Sequence, residues 1–262
     1  MRLRPIVAAA PVVIAALLVA LAQATGPGQA LLAYELEGTV VKALAALACA
    51  LAAMRIPPGN RLRHAWILQA ACYLALALKT LPVLSGNDLA VRVGTLTANV
   101  LAPLAQFLMI RAFWGAGLAP ALPPRARWLA PLATFTVALA LAGPSIVSHV
   151  RMMTEDPSAI LLVFSSVGDL ASITLLAPLL LIAAALRGGR LAWPYAFMAA
   201  GEACWLLYDV ANAFAPMVLE RSWARALWET LRLSACLYYA WAGVAQRAAF
   251  VRHPAQLARR AA

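Results

Sequence analysis

The sequence predicts an all-α integral membrane protein with eight transmembrane helices, arranged as two parallel four-helix repeats. The first observation is composition: 64% of the 262 residues are hydrophobic and only 12% are charged, whereas a soluble domain has about 45–50% and about 25%. The second is that apolar segments recur along the chain at the length of about 20 residues that crosses a bilayer. The third is that basic residues fall in alternate loops. Together they indicate that lipid is the main solvent of the chain.

Eight apolar segments are predicted to span the membrane. In chain order they are residues 5–24, 39–54, 65–84, 93–111, 128–148, 159–186, 191–215 and 226–247. Turn signals separate them, such as Gly26-Pro27-Gly28 and Pro57-Pro58-Gly59-Asn60. The whole chain, residues 1–262, is therefore interpreted as a single membrane domain.

Loop charges predict the orientation of these segments. The two ends of the chain and the loops after the second, fourth and sixth segments hold 14 basic residues and no acidic one. The remaining loops hold four basic and six acidic residues. By the positive-inside rule both termini are cytoplasmic, which fits a multi-pass protein of a bacterial inner membrane. The net charge of +11 is then attributed to topology and to membrane lipids as partners, and no nucleic acid is expected.

The first segment has a second interpretation. Arg2 and Arg4 precede an apolar run that ends in Ala20-Leu21-Ala22, which is typical of a cleavable signal peptide. Cleavage would leave seven helices and an N-terminus outside the cell.

An internal repeat favours keeping the first segment. Gly59-Asn60-Arg61-Leu62 recurs, in part, as Gly188-Gly189-Arg190-Leu191 after 129 residues. The same offset aligns the first four segments with the last four. Four helices per half give both halves, about residues 1–129 and 130–262, the same orientation, which defines a parallel repeat.

Seven ionisable side chains lie inside the apolar segments, where an isolated charge costs about 2.5–3.5 kcal/mol near the bilayer centre. They are Lys42, Lys79, Asp169, Glu202, Asp209, Glu229 and Arg232. Charged groups that are this costly to place in lipid usually face protein or water. Their depths overlap within roughly 15 Å at 1.5 Å per helical residue, so we predict that they converge on one polar pocket open to the outer side.

The seventh segment carries most of the predicted ligand-binding site. Glu202 and Asp209 are seven residues apart and share a helix face, with Trp205 between them and Tyr208 beside Asp209. Two interpretations stay open: a ligand or proton site walled by aromatic rings, or ion pairs that hold helices together, with the aromatic residues as packing.

The remaining members of the predicted site come from other segments. Glu229 and Arg232 have the i, i+3 spacing of an internal ion pair. Lys42 lies about one turn inside its segment, where a lysine can extend its ammonium to the surface.

No metal site, cofactor or disulfide framework is predicted. The four cysteines lie inside apolar segments without CxxC spacing, and the three histidines lie near segment ends. The common hydrolase and nucleotide-binding motifs are absent from the sequence, and no Ser–His pair can be placed at one depth. Paired carboxylates could act as general acid and base, so catalysis is left open but not favoured.

Several short motifs resemble those of known membrane proteins. Gly168-Asp169, Gly188-Gly189-Arg190-Leu191, Trp193-Pro194 and Asp209 resemble the multi-helix sensory input regions of bacterial histidine kinases and diguanylate cyclases, over about residues 160–250. The resemblance implies a sensory module with Asp169 and Asp209 as its marked acidic positions. Because no output domain follows, such a module would act through a separate signalling protein.

A shorter motif is similar to another family. Residues 164–169, Phe-Ser-Ser-Val-Gly-Asp, are similar to a motif of the lysoplasmalogenases, eight-helix membrane hydrolases thought to use carboxylates. This implies a lipid-hydrolase activity at those carboxylates.

The function expected is a stand-alone sensory or small-ligand-binding membrane protein. A proton-coupled small-solute transporter is the first alternative, because parallel repeats with charges inside the membrane also describe transporters. A carboxylate-based membrane lipid hydrolase is the second.

Overall fold

The structure, a computed structural model, describes residues 5–117, 124–213 and 222–250. Every regular element in those ranges is helical, and none is a strand, which confirms the all-helical prediction. The elements are α1 Pro5–Ala24, α2 Pro27–Met54, α3 Arg61–Leu78, α4 Thr80–Ser85, α5 Asp88–Gly115, α6 Pro124–Met152, a 3-10 turn Pro157–Ala159, α7 Ile160–Ala185, α8 Ala192–Ala213 and α9 Ser222–Ala249. Of the loop charges that predict the orientation, seven lie outside the described residues: Arg2, Arg4, Glu220, Arg221, Arg252, Arg259 and Arg260.

Six stretches of the described chain are long and apolar enough to cross a membrane. They are Ile6–Ala24, Gly28–Met54, Arg61–Ser85, Asp88–Gly115, Arg127–Met152 and Pro157–Ala185. The chain is therefore a multi-pass membrane protein. α8 and α9 reach 22 and 28 residues but are less apolar, since they carry most of the ionisable groups of the predicted site.

Polar residues at the helix starts explain several boundaries. Asn60 caps α3 by accepting a hydrogen bond from the Leu62 amide at 2.8 Å. Asn87 caps α5 in the same way, with 3.1 Å to the Ala90 amide. A turn signal thus separates each of these helices from its predecessor, as the sequence predicts.

Several helices extend a few residues beyond the predicted segments, and the second and third segments differ most from the structure. The second segment is predicted from residue 39, but α2 begins at Pro27, so the acidic residues Glu35 and Glu37 lie on the helix and not in a loop. A proline is favoured in the first helical turn, where its missing amide costs no hydrogen bond. The third segment is divided at Lys79, between α3 and the short α4.

Six helices pack in a closed ring. α2 contacts α3, α3 contacts α5, α5 contacts α7, α7 contacts α8, α8 contacts α9, and α9 returns to α2. α1 packs outside this ring on α9 and α2, and α6 packs outside it on α7. Because the ring is closed, helices from distant parts of the sequence surround the same interior space.

Glycines allow the ring helices to approach closely. A Cβ at Gly243 would lie 2.6 Å from the backbone of Ala48, and one at Gly201 would lie 2.9 Å from the Tyr239 ring. A Cβ at Gly168 would collide with the backbone carbonyl of Asn99. Small residues at such contacts are the usual way in which membrane helices pack.

Candidate functional site

A cavity of about 600 Å³ lies within the ring and extends to α6, so that all six ring helices and α6 line it. The predicted site residues that line it are Lys42, Lys79, Asp169, Glu202, Trp205, Tyr208, Asp209 and Arg232. Glu229 is the one predicted residue that does not line it. The structure thus brings eight of the nine predicted residues to one space.

Asp169 and Asp209 form the acidic wall of the cavity. The Asn99 side-chain amide donates to Asp169 Oδ1 at 2.7 Å and also to Ser165 Oγ at 2.8 Å. Gly168 permits this arrangement because a larger residue would displace the Asn99 backbone. Asp209 is exposed to the cavity and has no hydrogen bond or ion pair among the residues that the structure describes.

Glu202 is more buried than Asp169 and Asp209, and two protein side chains donate hydrogen bonds to it. Its Oε1 accepts hydrogen bonds from the Gln106 amide, at 2.7 Å, and from the Tyr239 hydroxyl. Tyr239 packs against Tyr73, with 4.9 Å between ring centroids, and the Trp205 indole donates to the Tyr73 hydroxyl at 3.3 Å. These contacts fix Glu202 in place by its neighbours in the protein.

Lys42 and Lys79 form the basic wall. Lys79 Nζ donates to Thr95 Oγ1 at 3.2 Å. Gly94 leaves room for its stem, because a Cβ there would lie 3.3 Å from Lys79 Cγ. Lys42 is 3% exposed and has no hydrogen bond or ion pair within the described ranges. Lys42 therefore lies with the rest of the predicted site, and the alternative that its ammonium extends to the surface is wrong, because its position on α2 faces the ring interior.

Arg232 joins α9 to α2. It donates to Glu35 Oε1 and to the Tyr34 carbonyl, each at 3.0 Å. The predicted pair with Glu229 is present, with 2.7 Å between Arg232 Nη2 and Glu229 Oε2, although its angles fall outside hydrogen-bond geometry. The Arg232 charge is therefore balanced by two protein carboxylates.

Trp205 and Tyr208 of α8 and Trp228 of α9 form a row of aromatic contacts. Trp205 and Tyr208 meet edge to face at 5.4 Å, and Tyr208 lies parallel to Trp228 at 4.9 Å. Trp205 and Tyr208 both line the cavity. They give the space between the charged walls an apolar surface.

The cavity is also lined by polar residues that are not part of the predicted site. His149 Nδ1 lies 3.2 Å from Ser166 Oγ, and both line the cavity. The expectation that no Ser–His pair shares one depth is therefore wrong, because the end of α6 packs beside the first turns of α7. Thr95 and Asn99 are four residues apart on α5, and this polar spacing was the signal for their shared face.

No group of three or more His, Cys, Asp or Glu side chains in the described parts of the chain is placed to hold a metal ion. The chemistry that the cavity offers is charge pairing, hydrogen bonding and proton exchange at carboxylates. No protein-family model, curated protein or solved structure matches the chain. Fold and cavity define the class, a multi-pass all-helical membrane protein with a charged internal cavity.

Proposed function

We propose that this protein binds a small polar solute in its internal cavity, in a sensory or ligand-binding role. The observation that carries the proposal is that Lys42, Lys79, Asp169 and Asp209, from separate parts of the sequence, line one cavity. Its volume of about 600 Å³ falls within the range of small-molecule sites, about 300–1,000 Å³.

The ion pairs of the described residues argue against a purely structural role for these four charges. The pairs are Arg92–Asp156, Arg232–Glu35 and Arg232–Glu229. None includes a member of the two cavity walls. Charges inside a membrane that only held helices together would be expected to pair with one another.

We further propose eight transmembrane helices in two parallel halves, with both termini cytoplasmic in a bacterial inner membrane. The order of helix contacts in the ring supports the repeat. In the first half α2 contacts α3 and α3 contacts α5, and in the second half α7 contacts α8 and α8 contacts α9. The last helix of each half then contacts the first ring helix of the other half, α5 with α7 and α9 with α2. The loop charges support the orientation.

Close contacts at the two closing interfaces add to this support. A Cβ at Gly38 of α2 would lie 3.1 Å from the Arg232 guanidinium of α9, and Gly168 of α7 meets Asn99 of α5. In each case the glycine of one half makes room for a polar residue of the other half's last helix.

Binding is tested on the full chain in lipid nanodiscs, with a panel of amines, carboxylates and amino acids as probes and thermal stability as the readout. We expect at least one probe to raise the melting temperature of the wild type and to lose that effect in Asp209→Asn. Glu155→Gln, the same change at an exposed residue outside the cavity, should respond as the wild type does. A panel without any response, or equal responses in both variants, would refute the proposal.

Transport is the second candidate function. The observation that favours it is that both proposed halves contribute residues to the cavity lining, the first between positions 42 and 102 and the second between positions 140 and 232. In transporters built from repeats, the substrate site likewise lies between the repeats. Proteoliposome uptake of a bound probe, driven by a pH gradient and lost in Asp209→Asn, would support transport. Binding without uptake would support the sensory role.

A further inference from the structure

We infer that the cavity takes a small zwitterion, an ammonium carboxylate, with its anionic end at Lys42 and Lys79 and its cationic end at Asp169 and Asp209. The inference rests on the proposed binding function and names the ligand class of the same site.

The anionic end is inferred from Lys42. An ammonium group has three hydrogen-bond donors and is costly to bury without acceptors. Lys42 is 3% exposed, lines the cavity, and makes no hydrogen bond or ion pair within the described residues. Lys79, on the same wall, has one hydrogen bond to a neutral hydroxyl. A carboxylate in the cavity supplies the acceptors that both lysines lack.

The cationic end is inferred from the acidic wall. A carboxylate accepts up to about four hydrogen bonds. Asp169 receives one from the neutral Asn99 amide, and Asp209 receives none from any described residue. Glu202 also lines the cavity, but Gln106 and Tyr239 already donate to its Oε1, so we place the ammonium group at the two aspartates, which have fewer donors from the protein. An ammonium group between Asp169 and Asp209 is the complement of this wall.

The order of the ring places these walls on opposite sides. Between α2 and α7 lie α3 and α5 in one direction and α9 and α8 in the other. Between α3 and α8 the separation is the same. Lys42 of α2 and Lys79, which follows the last residue of α3, therefore lie across the cavity from the aspartates of α7 and α8. A single ion would satisfy only one wall, whereas a zwitterion satisfies both and leaves the site without added net charge, which is favourable inside a membrane.

The surface between the walls suits the middle of such a ligand. Tyr73, Trp205 and Tyr208 line the cavity. Their rings can pack on a methylene chain, and their faces also attract an ammonium group.

The test uses ω-amino acids of increasing chain length, each compared with the alkylamine and the alkanoate of the same length. Binding to the full chain in nanodiscs is measured by calorimetry. We expect one chain length to bind at least about tenfold more tightly than both of its singly charged analogues, because each analogue leaves one wall unpaired.

Two variants assign the ends of the ligand. Lys42→Met should remove the preference for the zwitterion over the alkylamine, while alkylamine binding persists. Asp209→Asn should remove the preference over the alkanoate, while alkanoate binding persists. Arg61→Met and Glu155→Gln are the matched controls at exposed positions, and both should keep the wild-type pattern. Persisting binding of the one-charge analogue also shows that each variant is folded.

The wild-type series decides the inference even if a variant fails to fold. Zwitterions that bind no better than their analogues, or variants that weaken all probes equally, would overturn the zwitterion assignment. If a solute of another charge type binds and depends on Asp209, the proposed function stands while this inference fails. If no solute of any charge type binds, both fail.

Discussion

Thr39 and Thr80 share a hydrogen bond of 2.5 Å between their hydroxyl oxygens, at the contact of α2 and α4. Thr39 uses its own proton to donate to the Glu35 carbonyl at 2.7 Å, so Thr80 supplies the proton of the shared bond. The two threonines lie 130 and 129 residues before Asp169 and Asp209. Under the proposed repeat, the hydroxyl pair of the first half would stand at the positions that the two aspartates occupy in the second half.

The direction of this hydrogen bond predicts unequal effects of two similar substitutions. Thr80→Val removes the donor and should cost about 0.5–1.5 kcal/mol, the usual loss of one hydrogen bond. Thr39→Val leaves the buried Thr80 hydroxyl without its acceptor and should cost about 1–3 kcal/mol. Thermal unfolding of the purified variants measures the order. A larger loss for Thr80→Val would reverse the assigned direction.

Gly168 and Gly115 provide a matched pair for testing close packing. Both are helical glycines, but a Cβ at Gly168 would collide with the Asn99 carbonyl, whereas no atom beyond the adjacent residues and its own helix backbone lies within 4 Å of one at Gly115. We expect Gly168→Ala to lower stability by about 1–3 kcal/mol through overpacking. Gly115→Ala should be neutral or slightly stabilising, because alanine favours a helix more than glycine does.

Ligand binding is a second measurement that should distinguish the two glycine variants. Gly168→Ala should also weaken binding of any cavity ligand, since it moves the residue that donates to Asp169. Equal thermal stability and equal binding in the two variants would contradict the α5–α7 contact.

The sequence predicted the helical fold, and eight of the nine predicted site residues line the cavity, because both follow from chemistry along one helix. Apolar length predicts the helices, and the cost of an intramembrane charge predicts that these residues avoid lipid. The His149–Ser166 contact was not predictable in this way. It depends on how far α6 is shifted along α7, which spacing within either helix does not determine. The sequence also left open whether Lys42 extends to the surface, because its distance from the end of α2 does not indicate which face turns inwards.

Asp156 is predicted to make the turn between α6 and α7 acid-sensitive. Hydrogen bonds from Ser158, together with that from Arg92, lower the pKa of this carboxyl from 3.8 to about 2. Because the pKa is lower in the folded protein, the stabilising effect is complete above pH about 4 and is lost as the pH falls towards 2. Asp156→Asn keeps an acceptor for the Ser158 amide but removes the charge. The stability difference between wild type and Asp156→Asn should be constant from neutral pH to about pH 5 and should shrink below pH 4. A difference that stays constant to pH 2 would exclude the charge as its source.

Lys42→Met is predicted to stabilise the protein in the absence of ligand. Methionine has a similar length and shape, and it removes an ammonium group that is 3% exposed and unpartnered among the described residues. Replacing even a buried ion pair by apolar side chains of similar volume often stabilises by about 1–4 kcal/mol, and a buried charge without a partner lacks the attraction that offsets its desolvation. For a chain of this size each kcal/mol raises the melting temperature by about 2–4 °C. Arg61→Met removes an exposed charge and should leave the melting temperature within about 1 °C, since surface substitutions are usually within about 0.5 kcal/mol. A lower melting temperature for Lys42→Met would mean that the protein itself supplies an acceptor for the ammonium. In that case the basic wall would have no unmet hydrogen bonds for a ligand.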